Sequence, residues 1–244
     1  IIANVALPTL AQTFGASFQQ VQWVVLAYLL VSTALVVGVG RLGDIVGRRR
    51  LLLAGIALFS AASAACGLAS GLGWLLAARA LQGLGAAVMM ALPMALVGAV
   101  VPKTRIGAAM GLLGTTSAIG TALGPSLGGA LIGSFGWQAI FLINLPLGTL
   151  AASLAWRYLP RDRATGTPTG FELPGSLLLA SALAGNSLAM TLGHGHFGKV
   201  NLALAGAAAI LGLVFLVVES KARSPLVQSA LFREQVVGSG FIAS

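Results

Sequence analysis

The chain has 244 residues, of which 57% are hydrophobic and only 8% charged, and its formal net charge is +9. A soluble domain has about 25% charged residues, because polar side chains must cover its surface. The composition therefore argues against a soluble enzyme, a disordered chain and a nucleic-acid-binding protein. Lipid is the alternative solvent, and apolar stretches of about 20 residues, long enough to cross a bilayer as helices, recur along the sequence.

These stretches predict an all-α, polytopic membrane helix bundle. Barrel strands would alternate apolar and polar residues, whereas the stretches are continuous and rich in Ala and Leu. A helix also satisfies its own backbone hydrogen bonds in lipid. A partial helix ends near Leu10 and another begins near Val236, so we interpret the chain as a fragment of a longer membrane protein. The full spans predicted between them are Val21–Leu42, Leu51–Ala69, Trp74–Val101, Ile106–Ile132, Ala139–Trp156, Leu173–Leu192 and Val200–Val218.

Basic residues predict the orientation of the bundle. Twelve of them lie in alternate loops, whereas the intervening loops hold only Lys199, and Arg79 lies within a span. Loops rich in Lys and Arg stay in the cytoplasm. We therefore expect a multi-pass protein of the inner (cytoplasmic) membrane with a cytoplasmic N-terminus. The tryptophans are predicted to form aromatic belts at the span ends, with Trp156 at an inner end and three at outer ends, namely Trp23, Trp74 and Trp137.

The first motif, "GRLGDIVGRRR", occupies residues 40–50 in a predicted cytoplasmic loop. Gly40 and Gly47 allow a tight turn and close helix approach. Asp44 can pair with Arg48, and an Asp/Arg network that forms in one conformation and breaks in the other is a gate. The last two arginines are interpreted as positive-inside anchors. The glycines do not form a dinucleotide site, because an apolar span rather than a strand precedes them.

The second motif, "RALQGLGAA", places a charge inside the fourth span. Arg79, Gln82 and Gly83 share one helix face. A charge near the membrane interior costs about 2.5–3.5 kcal/mol on insertion scales, so Arg79 must face a cavity, water or a partner. The alternative is an arginine that snorkels to the outer interface, since Trp74 is close in sequence.

The third motif, "GTALGPSLGG", lies in the fifth span. Glycines spaced by four residues form a stripe on which another helix can pack closely, and a proline among them makes the helix deformable. Hydroxyl side chains give weak polarity along a possible substrate or proton pathway, which includes Thr116 and Thr121. The residues assigned to flexing and packing are Gly120, Gly124, Pro125, Gly128 and Gly129, together with Gly83 of the second motif.

Other polar residues receive simpler interpretations. The single cysteine, Cys66, excludes an internal disulfide and is expected to pack among small residues. His194 and His196 have no Cys or carboxylate beside them, which argues against a metal site. Asn144 and Pro146 are expected to bend the sixth span.

The motifs resemble those of the major facilitator superfamily. "GRLGDIVGRRR" resembles its signature between spans two and three, "RALQGLGAA" its span-four motif, and "GTALGPSLGG" the span-five motif of its antiporters. "NVALP", "GWQAIFLINLPLG", "FELPG" and the stretch from Glu219 to Arg233 are similar to the EmrB/QacA-type drug:proton antiporters, which have 14 spans. Gln138 and Ala139 stand where that group usually has Arg and an aromatic residue, and its span-one acid would lie just before Ile1.

The resemblance implies an organisation for the chain, although the residues leave 12 or 14 spans in the full protein open. Two six-helix bundles would surround a central cavity, and 14-span members add two helices between them. The predicted segments are a six-helix bundle at 1–158 with a truncated first helix, a cytoplasmic loop at 159–172, two additional spanning helices at 173–218, a cytoplasmic linker at 219–235, and the start of a C-terminal bundle at 236–244.

The resemblance also implies a function. We expect a transporter rather than an enzyme, working as a proton-coupled multidrug or antibiotic efflux antiporter by alternating access. It needs no cofactor, since the proton gradient supplies the energy. Its partners would be a small amphipathic or cationic substrate, protons, the lipid bilayer and the missing C-terminal half, with no nucleic acid. A metabolite facilitator or importer on the same fold is the alternative, followed by a non-transporting membrane sensor or scaffold.

Overall fold

The computed structural model describes residues 2–162 and 198–220, with scattered residues between 178 and 189. These residues are almost entirely helical, and five helical stretches among them are long and apolar enough to cross a membrane. The protein is thus a multi-pass helical membrane bundle, as predicted. The helices are α1 (Ile2–Val5), α2 (Leu7–Phe14), α3 (Phe18–Val46), α4 (Arg48–Gly67), α5 (Leu72–Val100), α6 (Ile106–Phe135), α7 (Ala139–Leu142), α8 (Asn144–Tyr158) and α9 (Lys199–Ser220), with a 3-10 turn at Lys103–Arg105 before α6.

Most predicted spans coincide with a helix. Helices α3 to α6 cover the four predicted spans from Val21–Leu42 to Ile106–Ile132. Helices α7 and α8 together cover the next one, Ala139–Trp156, and α9 contains Val200–Val218. The predicted span Leu173–Leu192 lies for the most part outside the described residues, as do His194, His196 and everything from residue 221 onward. The chain divides into two compact units, Ile1–Thr165 and Gly166–Ser244. The finer domain boundaries remain predictions.

The junction between α3 and α4 is much tighter than the sequence suggested. Residues 43–46, which follow the predicted span Val21–Leu42 and were assigned to the loop, continue α3, and Gly47 alone separates it from α4. Gly47 has φ 103°, a conformation that side-chain-bearing residues rarely adopt. The loop prediction was wrong because the polar residues that end the apolar span are compatible with a helix extending beyond the lipid.

Helix α5 lies at the centre of the first unit, packed between α3 and α4. Glycines make both contacts close. A Cβ atom built at Gly83 would lie 2.8 Å from the carbonyl oxygen of Tyr28 in α3, and one at Gly85 would lie 2.7 Å from the backbone nitrogen of Phe59 in α4. Small residues let neighbouring backbones approach, which is how helices associate in lipid.

The helix of the sixth predicted span, Ala139–Trp156, is interrupted near its start by one residue, Ile143. Helix α7 ends at Leu142, and α8 begins at Asn144 with Pro146 in its first turn, where a proline costs no helical hydrogen bond. Ile143, between the two helices, keeps helical dihedral angles (φ −61°, ψ −23°), so the expected bend at Asn144 and Pro146 stays a prediction. Trp137, just before α7, was predicted to lie in an aromatic belt. It is instead 5% exposed and packs edge-on against Phe14, with ring centroids 5.5 Å apart.

Candidate functional site

Arg79 is buried inside the bundle. It is the eighth residue of α5, about 10 Å along the helix axis from its start. Only 6% of the residue is exposed. Its Nε–H donates to the carbonyl oxygen of Val24 in α3 at 2.9 Å, and its guanidinium lies 4.2 Å from the ring centroid of Tyr28. This environment argues against an arginine that snorkels to the membrane surface.

A chain of buried hydrogen bonds continues from Arg79 into α4. The Nη1 group of Arg79 donates to Oε1 of Gln82, and Nε2 of Gln82 donates to the hydroxyl of Ser63. Gln82 is 1% exposed and Ser63 fully buried. The motif face predicted from the sequence thus connects three helices, and Gly83 on the same face allows α3 to come close enough for the bond to Val24.

Arg79 and Gln82 line a cavity of about 440 Å³. Thr121 lines it too, whereas the hydroxyl of Thr116 is exposed and donates back to the carbonyl of Leu112 in its own helix. Thr116 is absent from the lining that the structure describes. The other lining residues are mostly apolar or aromatic, with three further polar groups. Ser117 is one of the α6 hydroxyl residues predicted along the pathway, whereas the sequence did not predict Tyr28, Phe59, Met90, Phe141 or Asn144 at this cavity.

The cavity carries an uncompensated positive charge in the described part of the chain. The one ion pair found there, Asp44 with Arg48, lies at the end of the bundle and not at Arg79. The Arg79 guanidinium is stabilised instead by the carbonyl of Val24, the amide of Gln82 and the faces of two aromatic rings. These contacts offset part of the free-energy cost of burying the guanidinium, but they do not neutralise its charge. The site can therefore attract an anionic group or a carboxylate that enters the cavity.

The glycine stripe of α6 is only partly packed. Gly124 and Gly128 are buried, whereas Cβ atoms built at Gly120 and Gly129 would meet nothing within 4 Å among the described contacts. The helix continues without a break through Pro125. Most of α6 is exposed, because within the described residues it contacts other helices only along a narrow face.

The predicted Asp44–Arg48 pair forms near the C-terminal end of α5. Nε and Nη2 of Arg48 each lie 2.9 Å from Oδ1 of Asp44. Nη1 of Arg48 also donates to the carbonyl of Ala95 in α5 at 2.8 Å. The pair spans the α3–α4 junction and ties it to α5, while Gly40 lies within α3 with open space beside it.

Asp162 also lies at the α3–α4 junction, a position that the sequence did not predict. Its Oδ1 accepts from the backbone N–H of Arg49 at 2.9 Å and its Oδ2 from that of Arg50 at 3.0 Å, so it caps the first turn of α4. A Cβ at Gly47 would lie 2.5 Å from the Asp162 carboxylate. No local pattern reveals this contact, because more than 100 residues separate the partners.

The class of the protein follows from a membrane-spanning helical bundle that holds a buried arginine in a chain of hydrogen bonds and carries an Asp/Arg pair at one end. The model of the Major Facilitator Superfamily matches residues 1–241. The chain therefore belongs to this superfamily, whose members are transporters and not enzymes, as the sequence predicted.

Curated relatives support the same assignment. The chain is 36% identical to the riboflavin transporter RibZ of Clostridioides difficile, over 96% of this chain and 50% of that protein. It is 35% identical to the multidrug resistance protein Stp of Mycobacterium tuberculosis, over 96% and 44%. It is 36% identical to the putative multidrug resistance protein MdtD of Salmonella dublin, over 100% and 52%. The chain thus spans about half the length of the relatives it matches.

Proposed function

We propose that the chain is the N-terminal part of a proton-coupled multidrug efflux antiporter. The observation that carries this proposal is the buried Arg79–Gln82–Ser63 chain, whose first two members line a cavity, in a protein whose relatives include multidrug resistance proteins. A buried charge that is costly in lipid marks a site of function rather than of stability.

The mechanism follows from the charge of the cavity. Arg79 favours the ionised form of any carboxylate that comes close to it. That coupling carboxylate would lie in sequence outside the described residues, in the C-terminal half or before Ile1. As the two halves rock around the cavity, the carboxylate moves toward or away from Arg79 and thereby releases or binds a proton. The proton gradient is the energy source, and no cofactor takes part.

The lining of the cavity suits an amphipathic substrate. Tyr28, Phe59, Phe141 and Met90 offer aromatic and polarizable contact surface, and Asn144 with the α6 hydroxyls offers hydrogen bonds. A cationic substrate would compete with protons for the carboxylate. A second candidate is a metabolite transporter, favoured by the relative named as a riboflavin transporter and by an aromatic lining that can stack on a planar ring.

The orientation and cellular location are part of the proposal. The basic loops lie in the cytoplasm of a bacterial cell, so α3 begins outside and ends at the cytoplasmic face with the Asp44–Arg48 gate. The full protein has a second bundle; in a 14-span protein, α9 and the predicted span Leu173–Leu192 are the two helices added between the bundles.

Dye transport in everted membrane vesicles tests the function. Vesicles that contain the full-length protein should accumulate a fluorescent cationic dye when a proton gradient is imposed and should stop when it is collapsed. Arg79→Ala should abolish this uptake. Arg105→Ala is the matched control, since it removes one arginine from an exposed site away from the cavity. Dye uptake that is indifferent to the gradient would rule out the antiporter.

The same vesicles distinguish the antiporter from the second candidate, the metabolite transporter. Gradient-dependent movement of riboflavin without movement of the dye would favour the metabolite transporter. Residues 1–244 alone should insert in the membrane without transporting either compound, because alternating access requires two halves. Transport by liposomes that hold only this fragment would contradict the requirement for a second half.

A further inference from the structure

A second, larger cavity of about 1070 Å³ lies between the start of α4 and the end of α8. It is separate from the Arg79 cavity and shares none of its lining residues. One acidic residue, Asp162, and four arginines line it. The four arginines are Arg49, Arg50, Arg157 and Arg161.

The single carboxylate does not neutralise the arginines by ion pairing. Both oxygens of Asp162 accept from backbone N–H groups at the start of α4, and no arginine forms a salt bridge with it among the described residues. Arg49 donates through Nη2 to the carbonyl of Trp156, and its guanidinium lies 4.9 Å from the Trp156 ring centroid. Its Nε–H is buried and has no acceptor in the described part of the chain. The lining of the cavity therefore carries an excess of positive charge.

The wall of the cavity is also amphipathic along the membrane normal. Leu53 and Ser153 lie one helical turn deeper in the bundle than Arg49 and Arg157, respectively. Trp156 is 68% exposed at the same level as the arginines, where an indole ring prefers the boundary between lipid and water. A ligand with an anionic head and an apolar body matches both levels, whereas a free anion matches only the first.

We propose that this cavity binds the phosphodiester headgroup of an anionic phospholipid. The guanidinium groups donate to the phosphate oxygens, an interaction for which their planar fork is well suited. The glycerol backbone passes Ser153, and an acyl chain leaves along Leu53 into the bilayer. The bound lipid would join α4 to α8 beside the α3–α4 junction. This inference requires membrane insertion but does not rest on the transported substrate or on proton coupling.

Lipid binding to the purified, delipidated full-length protein tests the proposal. Native mass spectrometry would give the affinity for phosphatidylglycerol, for zwitterionic phosphatidylethanolamine and for inorganic phosphate. We expect phosphatidylglycerol to bind more tightly than phosphatidylethanolamine and an excess of inorganic phosphate not to displace it. Arg157→Gln, at an exposed position that tolerates substitution, and Arg49→Gln should each weaken phosphatidylglycerol binding about fivefold.

The control variant is Arg105→Gln, which removes the same charge from an exposed residue outside the cavity. It should leave the affinity unchanged. The proposal is overturned if Arg105→Gln weakens binding as much as Arg157→Gln, if the two lipids bind equally, or if inorganic phosphate displaces the lipid. Because no transport is measured, failure of this test is distinguishable from failure of the proposed function.

Discussion

The Nε–H of Arg79 and the main-chain carbonyl of Val24 form a 2.9 Å hydrogen bond between α5 and α3. A carbonyl inside a helix normally accepts from the amide four residues further along. The bond to Arg79 therefore gives Val24 an additional charged donor and holds the guanidinium over the ring of Tyr28, one turn along α3. A backbone carbonyl thus holds the guanidinium in place, together with the Gln82 side chain and the Tyr28 ring.

This geometry predicts that lysine cannot replace arginine at position 79. Lysine has one ammonium group and lacks the planar fork that reaches the Val24 carbonyl and Gln82 at the same time. Arg79→Lys should therefore restore little of the gradient-driven dye transport that Arg79→Ala loses. Transport rates in everted vesicles, normalised to the amount of protein in the membrane, give the comparison. Full transport by Arg79→Lys would remove Arg79 from the proposed site.

The close contact at Gly83 predicts a loss of stability on adding a single methyl group. A Cβ there would meet the Tyr28 carbonyl oxygen at 2.8 Å and the Cβ of Val31 at 3.0 Å, so Gly83→Ala should force α3 and α5 apart at a cost of about 1–3 kcal/mol. The melting temperature in detergent reports the loss. Gly73→Ala is the matched control, because that glycine of α5 has open space around it. Equal melting temperatures for both variants would contradict the close packing.

The sequence predicted those parts of the fold and site that depend on one helix at a time. A continuous apolar stretch suffices to define a spanning helix, and a charge within such a stretch identified Arg79. The spacing of three residues then placed Gln82 on the same face. All of these inferences use only the length and period of a single helix.

The missed features depend on which helices are neighbours. Nothing in the sequence indicates that Arg79 meets Val24 and Tyr28, or that Asp162 reaches the start of α4. Trp137 was assigned to the membrane surface for the same reason, since its position near a span end does not reveal that Phe14 covers it. Tertiary contacts of this kind need the relative placement of helices, which a local pattern does not contain.

The orientation can be tested at the two ends of α5. Ser70 and Thr104 are both exposed and flank this helix, so the basic loops predict Ser70 outside and Thr104 in the cytoplasm. In a Cys66→Ala background, Ser70→Cys should react with a membrane-impermeant maleimide in intact cells. Thr104→Cys should react only after the membrane is permeabilised. The reverse pattern would invert the proposed topology and place the Asp44–Arg48 pair on the outside.

The Asp44–Arg48 pair predicts a defect of transport rather than of folding. Arg48 bonds to both Asp44 and the Ala95 carbonyl, so Asp44→Asn weakens the contact proposed to act as a gate at this end of the bundle. Transport should fall, while the melting temperature changes little, because an exposed ion pair contributes about 0–1 kcal/mol. Arg50→Ala should be milder, since its side chain takes no part in the pair. Wild-type transport by Asp44→Asn would exclude a gate at this position.

The Asp-to-Asn change should have a different effect at position 162, where we expect it to lower the stability of the protein. The two carboxylate oxygens of Asp162 accept from the N–H groups of Arg49 and Arg50, whereas an asparagine has one acceptor oxygen and would turn its own N–H donors toward the second amide. The negative charge near the start of α4 would also be lost, where it interacts favourably with the helix dipole.

Asp162→Asn should therefore destabilise the protein by about 0.5–2 kcal/mol, the usual contribution of a helix N-cap. The melting temperature of the purified protein measures the change, and Asp44→Asn is the matched control because it makes the identical substitution at an exposed ion pair nearby. The melting temperature should fall further for Asp162→Asn than for Asp44→Asn. If the two variants melt together, Asp162 does not secure the start of α4, and the N–H groups of Arg49 and Arg50 are satisfied by water instead.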